Sequence, residues 1–267
     1  MELTHTLAIC WSLVRASVRG QMQYRTSFIM EVAAGLAYQS VGFLFVWAIL
    51  SRFQALGGWT LEEIAMLYGI RLTAHGLYML FFSNLFRIDD FVREGGYDRL
   101  LVRPLPALLQ LMFTAVRVTV LGDLIGGVVI LGAALARVDV VWTPAHALLL
   151  ALAILGGALI DGAFQIGPAA LTFRFLESWP LRVIFDDVFS RFGNYPTSIL
   201  DRPARNVLTF IVPMAFMAYL PASTLLERET FLPLWVGWLA PAVGAVMFVL
   251  ALWVFARASR GYQSSGH

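Results

Sequence analysis

RIDDFVREGGYDRLLVRPLP, residues 87–106, is the stretch on which the reading of the chain turns. Eight of its twenty residues are charged: Arg87, Asp89, Asp90, Arg93, Glu94, Asp98, Arg99 and Arg103. On either side the sequence is apolar for more than twenty residues. Charges are costly in hydrocarbon, so this stretch must lie in water between two membrane segments. Gly95-Gly96 ends a short helix that starts near Phe86, because Gly enters the left-handed region past a helix end without a Cβ penalty. Asp98 is placed to cap a second short helix through Leu101 and Val102. Pro104 disfavours helix at Arg103 and closes that turn. The product is a helix–Gly-Gly–helix elbow, read either as a plain solvated connection or as a surface for another protein.

The rest of the chain agrees with a membrane setting. It has 267 residues, 59% hydrophobic and 13% charged, with mean hydropathy +0.75. Soluble domains carry about 25% charged residues. Repeated apolar runs of about 20 residues read as spanning helices, and their continuity argues against the alternation of a β-barrel. All 19 basic residues are Arg. A Walker A loop needs a Lys to reach the phosphates, so no P-loop ATPase is expected within this chain. Cys10 is the single cysteine, which excludes an internal disulfide and a Cys-based metal cluster. His5, His75, His146 and His267 are scattered without metal-ligand spacing, so no metal site is expected. No cleavable leader is expected over Met1–Gln23, where Arg15 and Arg19 come late. The net charge of +2 gives no reason to expect nucleic acid as a partner.

The expected fold is an all-α integral membrane protein: one transmembrane domain, 1–267, of six transmembrane helices. These cover approximately 28–50, 61–86, 107–136, 144–172, 207–220 and 234–255, the fifth short and containing Pro213. An excursion on the outer side is expected over 221–233. Two further stretches read as amphipathic interfacial helices. Within 1–27, Leu7, Trp11, Val14 and Val18 share a helical face beside Arg15 and Arg19. Within 174–205, Leu181, Ile184, Phe185, Val188 and Phe192 form a stripe. The pairs Arg182/Asp186 and Asp187/Arg191 lie at i,i+4 spacing on its other face. Four charges make that segment a poor span, so it is placed on the cytosolic surface.

The Arg distribution sets the orientation. Fourteen fall in the segments on one side: Arg15, Arg19, Arg25, Arg87, Arg93, Arg99, Arg103, Arg174, Arg182, Arg191, Arg202, Arg205, Arg257 and Arg260. Three fall on the other: Arg52, Arg137 and Arg228. Both termini are therefore expected in the cytosol (N-in/C-in), with 87–106 facing it as well.

Arg71, His75, Arg117, Asp123, Asp161 and Gln165 interrupt spans two to four. Such groups should face the bundle interior and find partners. Depth along each helix, at about 1.5 Å per residue, pairs Arg117 with Asp161 and Arg71 with Asp123. These pairs read either as structural fixings or as a polar path for a substrate or protons. Gly122 and Gly126, spaced four apart, allow close helix approach. Trp142, Trp179, Trp235 and Trp238 fall near expected interfaces, as in an aromatic belt.

The run Arg93-Glu94-Gly95-Gly96-Tyr97-Asp98-Arg99-Leu100-Leu101-Val102-Arg103-Pro104-Leu105 resembles the loop between the second and third membrane helices of ABC type-2 exporter permeases. There it has approximately the form Ile/Val-Arg-x-Gly-x-Leu/Tyr-Asp-x-x-Leu-x-Arg-Pro-Leu. The resemblance continues to the stretch ending Tyr219-Leu220-Pro221-Ala222. It implies that 87–106 carries a coupling helix docking on a separate ABC ATPase subunit, with Gly95, Tyr97, Asp98, Arg99, Leu100, Leu101, Arg103 and Pro104 as the contact set. Tyr97, Leu100 and Leu101 would supply apolar contacts, and Asp98, Arg99 and Arg103 the orientation. It further implies a second permease subunit, identical or related, and ATP bound by the partner subunit, with no cofactor in this chain. The setting would be the plasma (inner) membrane, in lipid, of a bacterium. The rival reading is a secondary transporter or channel working through the intramembrane charges, although no internal repeat supports it. A membrane enzyme has no supporting motif.

Overall fold

The computed structural model describes residues 3–52, 55–114 and 120–263. Thirteen α-helices make up most of the described chain: α1 (Leu3–Met22), α2 (Arg25–Arg52), α3 (Leu61–Phe82), α4 (Ile88–Arg93), α5 (Gly96–Leu101), α6 (Ala107–Thr114), α7 (Val120–Leu135), α8 (Pro144–Ala169), α9 (Thr172–Phe175), α10 (Trp179–Phe192), α11 (Arg202–Asn206), α12 (Tyr219–Leu225) and α13 (Ala240–Ser259). No strand occurs among the described residues beyond one bridge between Leu56 and Trp59.

Helix α3 is the centre. Thr60 and Glu63 start it with a capping box: the Thr60 N–H donates to Glu63 Oε2 at 2.8 Å, and the Glu63 N–H donates to Thr60 Oγ1 at 3.4 Å. Every residue from Ile64 to Ala74 is buried, as befits a helix enclosed on all sides. Helices α7 and α8 flank it, α2 packs on α7, and α13 packs on α8. Glycine sets two of these distances. A Cβ on Gly127 would meet the Thr73 backbone nitrogen at 2.5 Å, and one on Gly156 would meet the Ala240 carbonyl oxygen at 2.7 Å. Close backbone approach supplies the van der Waals contact that lipid-embedded helices rely on.

Among the described residues, three helices are long and apolar enough to cross a membrane: Leu61–Arg93, Pro144–Phe175 and Leu234–Ser259. A fourth candidate is the pair Arg202–Ile211 and Met214–Leu225, bent by 73°. The short span expected over 207–220, with its Pro213, falls within this bent pair. Val207–Ile211 forms a π-turn, and Pro213, lacking an N–H, breaks the helix before α12 resumes in a new direction. Helix α12 also runs on through Pro221, with Leu220, Pro221, Ala222 and Ser223 buried where an outer excursion was expected.

Two ends of the bundle are defined by contacts. At the elbow end, the Tyr97 ring lies 4.9 Å from Phe173, in α9, and 5.0 Å from Tyr262, just past α13. Helix α1 meets α6 there. At the far end, Arg228 Nε donates to Glu63 Oε1 at 2.7 Å and Arg228 Nη1 to the Gly58 carbonyl at 2.8 Å. The segment 174–205 joins the two ends. Its Trp179 N–H bonds Asp89 at the elbow end, while a Cβ on Gly57 at the far end would meet Ile199 Cγ2 at 2.6 Å. The expected segment lying along one surface thus runs lengthwise instead, with α10 packed on α8. The expected stripe is split. Phe185 and Val188 are half-buried, Phe185 lying 4.9 Å from Phe164, whereas Leu181, Ile184 and Phe192 are exposed and Arg182 and Phe189 are buried. Arg182 pairs with Asp89 rather than Asp186, so a charge that argued against burial is neutralised inside the protein. The Asp187–Arg191 pair forms as expected, at 2.7 Å.

This path moves Arg202 and Arg205 to the far end with Arg52, Arg137 and Arg228. The elbow end keeps Arg15, Arg19, Arg25, Arg87, Arg93, Arg99, Arg103, Arg174, Arg257 and Arg260, so the excess is smaller and keeps its sign.

Candidate functional site

The elbow is built as two short helices hinged at one glycine. Gly95, between α4 and α5, has φ +68°, a conformation that side chains with a Cβ resist. Because α5 starts directly after Gly95, Asp98 lies inside its first turn and does not cap it, contrary to expectation. The residues of the elbow then divide by direction. Tyr97 and Leu100 point inward and are buried. Leu101 is 53% and Val102 85% exposed, and Arg99, Arg103 and Pro104 are exposed around them, with Asp98 half-buried. Gln110 ties the tip to α6: its Nε2 donates to the carbonyls of Leu100 at 2.8 Å and Leu105 at 2.7 Å. An apolar tip ringed by guanidinium groups is thus held rigidly from within.

Tyr97 is the inner pin. Burial pushes its phenol above the ordinary tyrosine range, and its ring sits between Phe173 and Tyr262. Of the apolar residues expected as contacts, Tyr97 and Leu100 therefore face inward and Leu101 faces out, beside Val102, which lay outside that set. Tyr97→Ala is expected to destabilise the protein by about 3–5 kcal/mol, as for other buried aromatic truncations. Thermal unfolding of the detergent-solubilised chain checks it, with Tyr97→Phe as the near-neutral control.

Asp89 fastens the elbow to the bundle. One carboxylate oxygen accepts from the hydroxyls of Thr172 at 2.5 Å and Ser178 at 2.8 Å. The other accepts from the N–H groups of Ser178 at 3.1 Å and Trp179 at 2.9 Å, and from Arg182 Nη2 at 3.0 Å. Two of these donors are N–H groups at the start of α10, where an anion is favoured by the helix dipole. Arg182 Nη1 also donates to the Leu85 carbonyl at 2.6 Å, while its buried Nε has no hydrogen-bond partner among the described residues. It also lies over the rings of Phe86 and Trp179, 5.8 Å from each centroid. The knot joins α4, α9 and α10, and α10 in turn packs on α8. Beside it, Phe86, Arg87, Asp90, Arg93, Glu177 and Trp179 line an open cleft of about 600 Å³.

The intramembrane polar residues gather in a different way from the predicted pairs. His75 Nδ1 lies 2.7 Å from Asp161 Oδ2, with Asp161 fully buried. Asp161 was assigned to Arg117, which lies outside the described residues. Asp123 Oδ1 accepts from Gln39 Nε2 at 2.7 Å, and Gln39 Oε1 accepts from the Tyr68 hydroxyl at 3.4 Å. Arg71 and Asp123 face one cavity without an ion pair between them. Arg71 is 4% exposed, and its buried Nε has no hydrogen-bond partner. The cavity, about 440 Å³, is also lined by Asp186, Ser190 and Asn194. Depth along a helix fixes how far in a group lies. It carries no information about which way around the helix each one faces.

Comparison with known proteins gives one match. A family model described as "ABC-2 family transporter protein" covers residues 36–266. No curated protein and no solved structure matches the chain.

Proposed function

We propose that this chain, which belongs to the ABC-2 family of transporter proteins, is the permease subunit through which a separate ATPase subunit drives export. It is a helical membrane protein of the transporter class, with three to four candidate spans among the described residues. We read six crossings: α2, α3, α6 with α7, α8, α10 and α13. The bent pair α11–α12 then re-enters from the far end. In this reading the elbow faces the cytosol of a bacterial cell, the protein lies in the inner membrane, and it pairs with a second permease subunit. ATP is held by the ATPase partner.

The observation that carries the reading is the two-sided elbow. Its inner face is locked by Tyr97, Gln110 and Asp89, and its outer face presents Leu101 and Val102 among Arg99 and Arg103. Apolar anchors with a charged rim are the anatomy of a protein–protein contact. The lock gives partner motion a rigid route into α10. The polar cavity favours one alternative, a secondary transporter driven through Arg71, His75, Asp123 and Asp186.

Affinity purification of the tagged chain from its own host separates the two. We expect a P-loop ATPase at near-equal amounts, and ATP-dependent transport after reconstitution. A chain that purifies alone and transports without ATP would remove the ABC mechanism.

A further inference from the structure

We infer that the cavity walled by α2, α3, α7 and α10 binds an amphiphile whose polar group carries both an ammonium and an anionic centre. This names a substrate class for the transporter proposed above and rests on that reading for its role in transport.

Arg71 points to the anionic centre. It is 4% exposed and lines the cavity, yet it forms no ion pair or hydrogen bond among the described residues. Its stem is fixed against the end of α10, where a Cβ on Gly193 would meet Arg71 Cδ at 2.8 Å. A buried guanidinium without a partner is costly, and its planar donors suit a phosphate or carboxylate. The acidic residues point to the ammonium. Asp186 takes no side-chain hydrogen bond among the described residues, and Asp123 has one oxygen committed to Gln39. His75 is hydrogen-bonded to Asp161 and makes no ion pair with either. The guanidinium and these two carboxylates share one cavity without an ion pair among them. A simple anion would satisfy Arg71 but face Asp123 and Asp186, and a simple cation would do the reverse. A ligand bearing both charges satisfies each wall.

The volume, about 440 Å³, fits a polar headgroup. Tyr38 and Val41, on the same rim, are 77% and 68% exposed on α2, so the cavity opens onto an apolar face that can continue along a hydrocarbon tail.

The test uses the full-length chain in maltoside micelles with three single-tailed probes. Lysophosphatidylethanolamine carries both charges, lysophosphatidylglycerol only the anion and dodecyltrimethylammonium only the cation. Dissociation constants from ligand titration should favour the first by about tenfold over either of the others. Asp186→Asn should close the gap to lysophosphatidylglycerol, and Arg71→Gln the gap to the alkylammonium. Equal affinity of the wild-type protein for all three probes overturns the inference and needs no variant to fold. O-phosphoethanolamine, the headgroup without a tail, decides the source. Competition at matching concentration assigns a soluble zwitterion, and failure to compete assigns a membrane lipid. The same preparations are assayed for the co-purifying ATPase. Retained ATPase with no probe selectivity overturns this inference alone, and selective binding without ATPase overturns the proposed function alone.

Discussion

Asp89→Ala is expected to cost about 3–5 kcal/mol, the range for removing one partner of a buried ion pair. The loss follows from what remains. Arg182 is fully buried, and without Asp89 its charge keeps only the Leu85 carbonyl and two aromatic faces. Four further donors, from Thr172, Ser178 and Trp179, lose their acceptor at the same time. The thermal midpoint of the solubilised protein should fall steeply, and the elbow end should become the first site of proteolysis. A second variant separates lost pairing from lost packing. Replacing Asp89 by Leu and Arg182 by Met together removes the uncompensated charge while keeping volume. It should recover at least about 2 kcal/mol relative to the sum of the single changes. Strict additivity would mean that the two residues do not stabilise each other.

What was legible in the sequence was what local chemistry decides. Gly95 takes its positive φ where the Gly-Gly signal placed a helix break, and α5 ends at Leu101, three residues before Pro104. The long apolar runs around α3, α8 and α13 are helices long enough to cross a membrane. Nonlocal pairing defeated the reading elsewhere. Arg182 had a tempting partner four residues away in Asp186, but its real one, Asp89, is 93 residues distant in sequence. That contact takes Arg182 inside beside Phe189, while Asp187 and Arg191 stay exposed and Leu181, Ile184 and Phe192 are left on the outer side. With Arg182 paired locally to Asp186, the segment reads as a surface helix and nothing marks it as running the length of the bundle. The elbow shows the same limit on a smaller scale. Helix α5 has six residues, too few for periodicity to say which of Tyr97, Leu100 and Leu101 faces in. The polar cavity was half legible: Arg71, His75, Asp123 and Asp161 stood out as interruptions of apolar helices. Gln39 and Asp186, which complete the walls or brace them, sit on α2 and α10 and carry no such mark.

The second large effect is expected at the elbow tip. Leu101→Asp combined with Val102→Asp should abolish ATPase co-purification, while the permease stays folded. Both side chains are exposed, 53% and 85%, so the substitutions leave no cavity in the bundle. In a docked complex they would place two charges in a desolvated contact, where losing an apolar anchor alone costs at least about 2 kcal/mol. Arg99→Ala and Arg103→Ala should act differently. They lie on the rim, so they should slow association in a salt-dependent way and leave the complex detectable.

Cross-linking at Val102 tests the docking most directly. Cys10 is the only native cysteine, so Cys10→Ser with Val102→Cys gives a protein with one reactive thiol, at the tip. A short thiol-to-amine reagent is applied to native membranes before solubilisation, and the product is identified by mass. The account predicts a covalent adduct between this chain and a P-loop ATPase, lost when Leu101 is also changed to Asp. An adduct only with a second copy of the chain, or no adduct in membranes that transport normally, would contradict it.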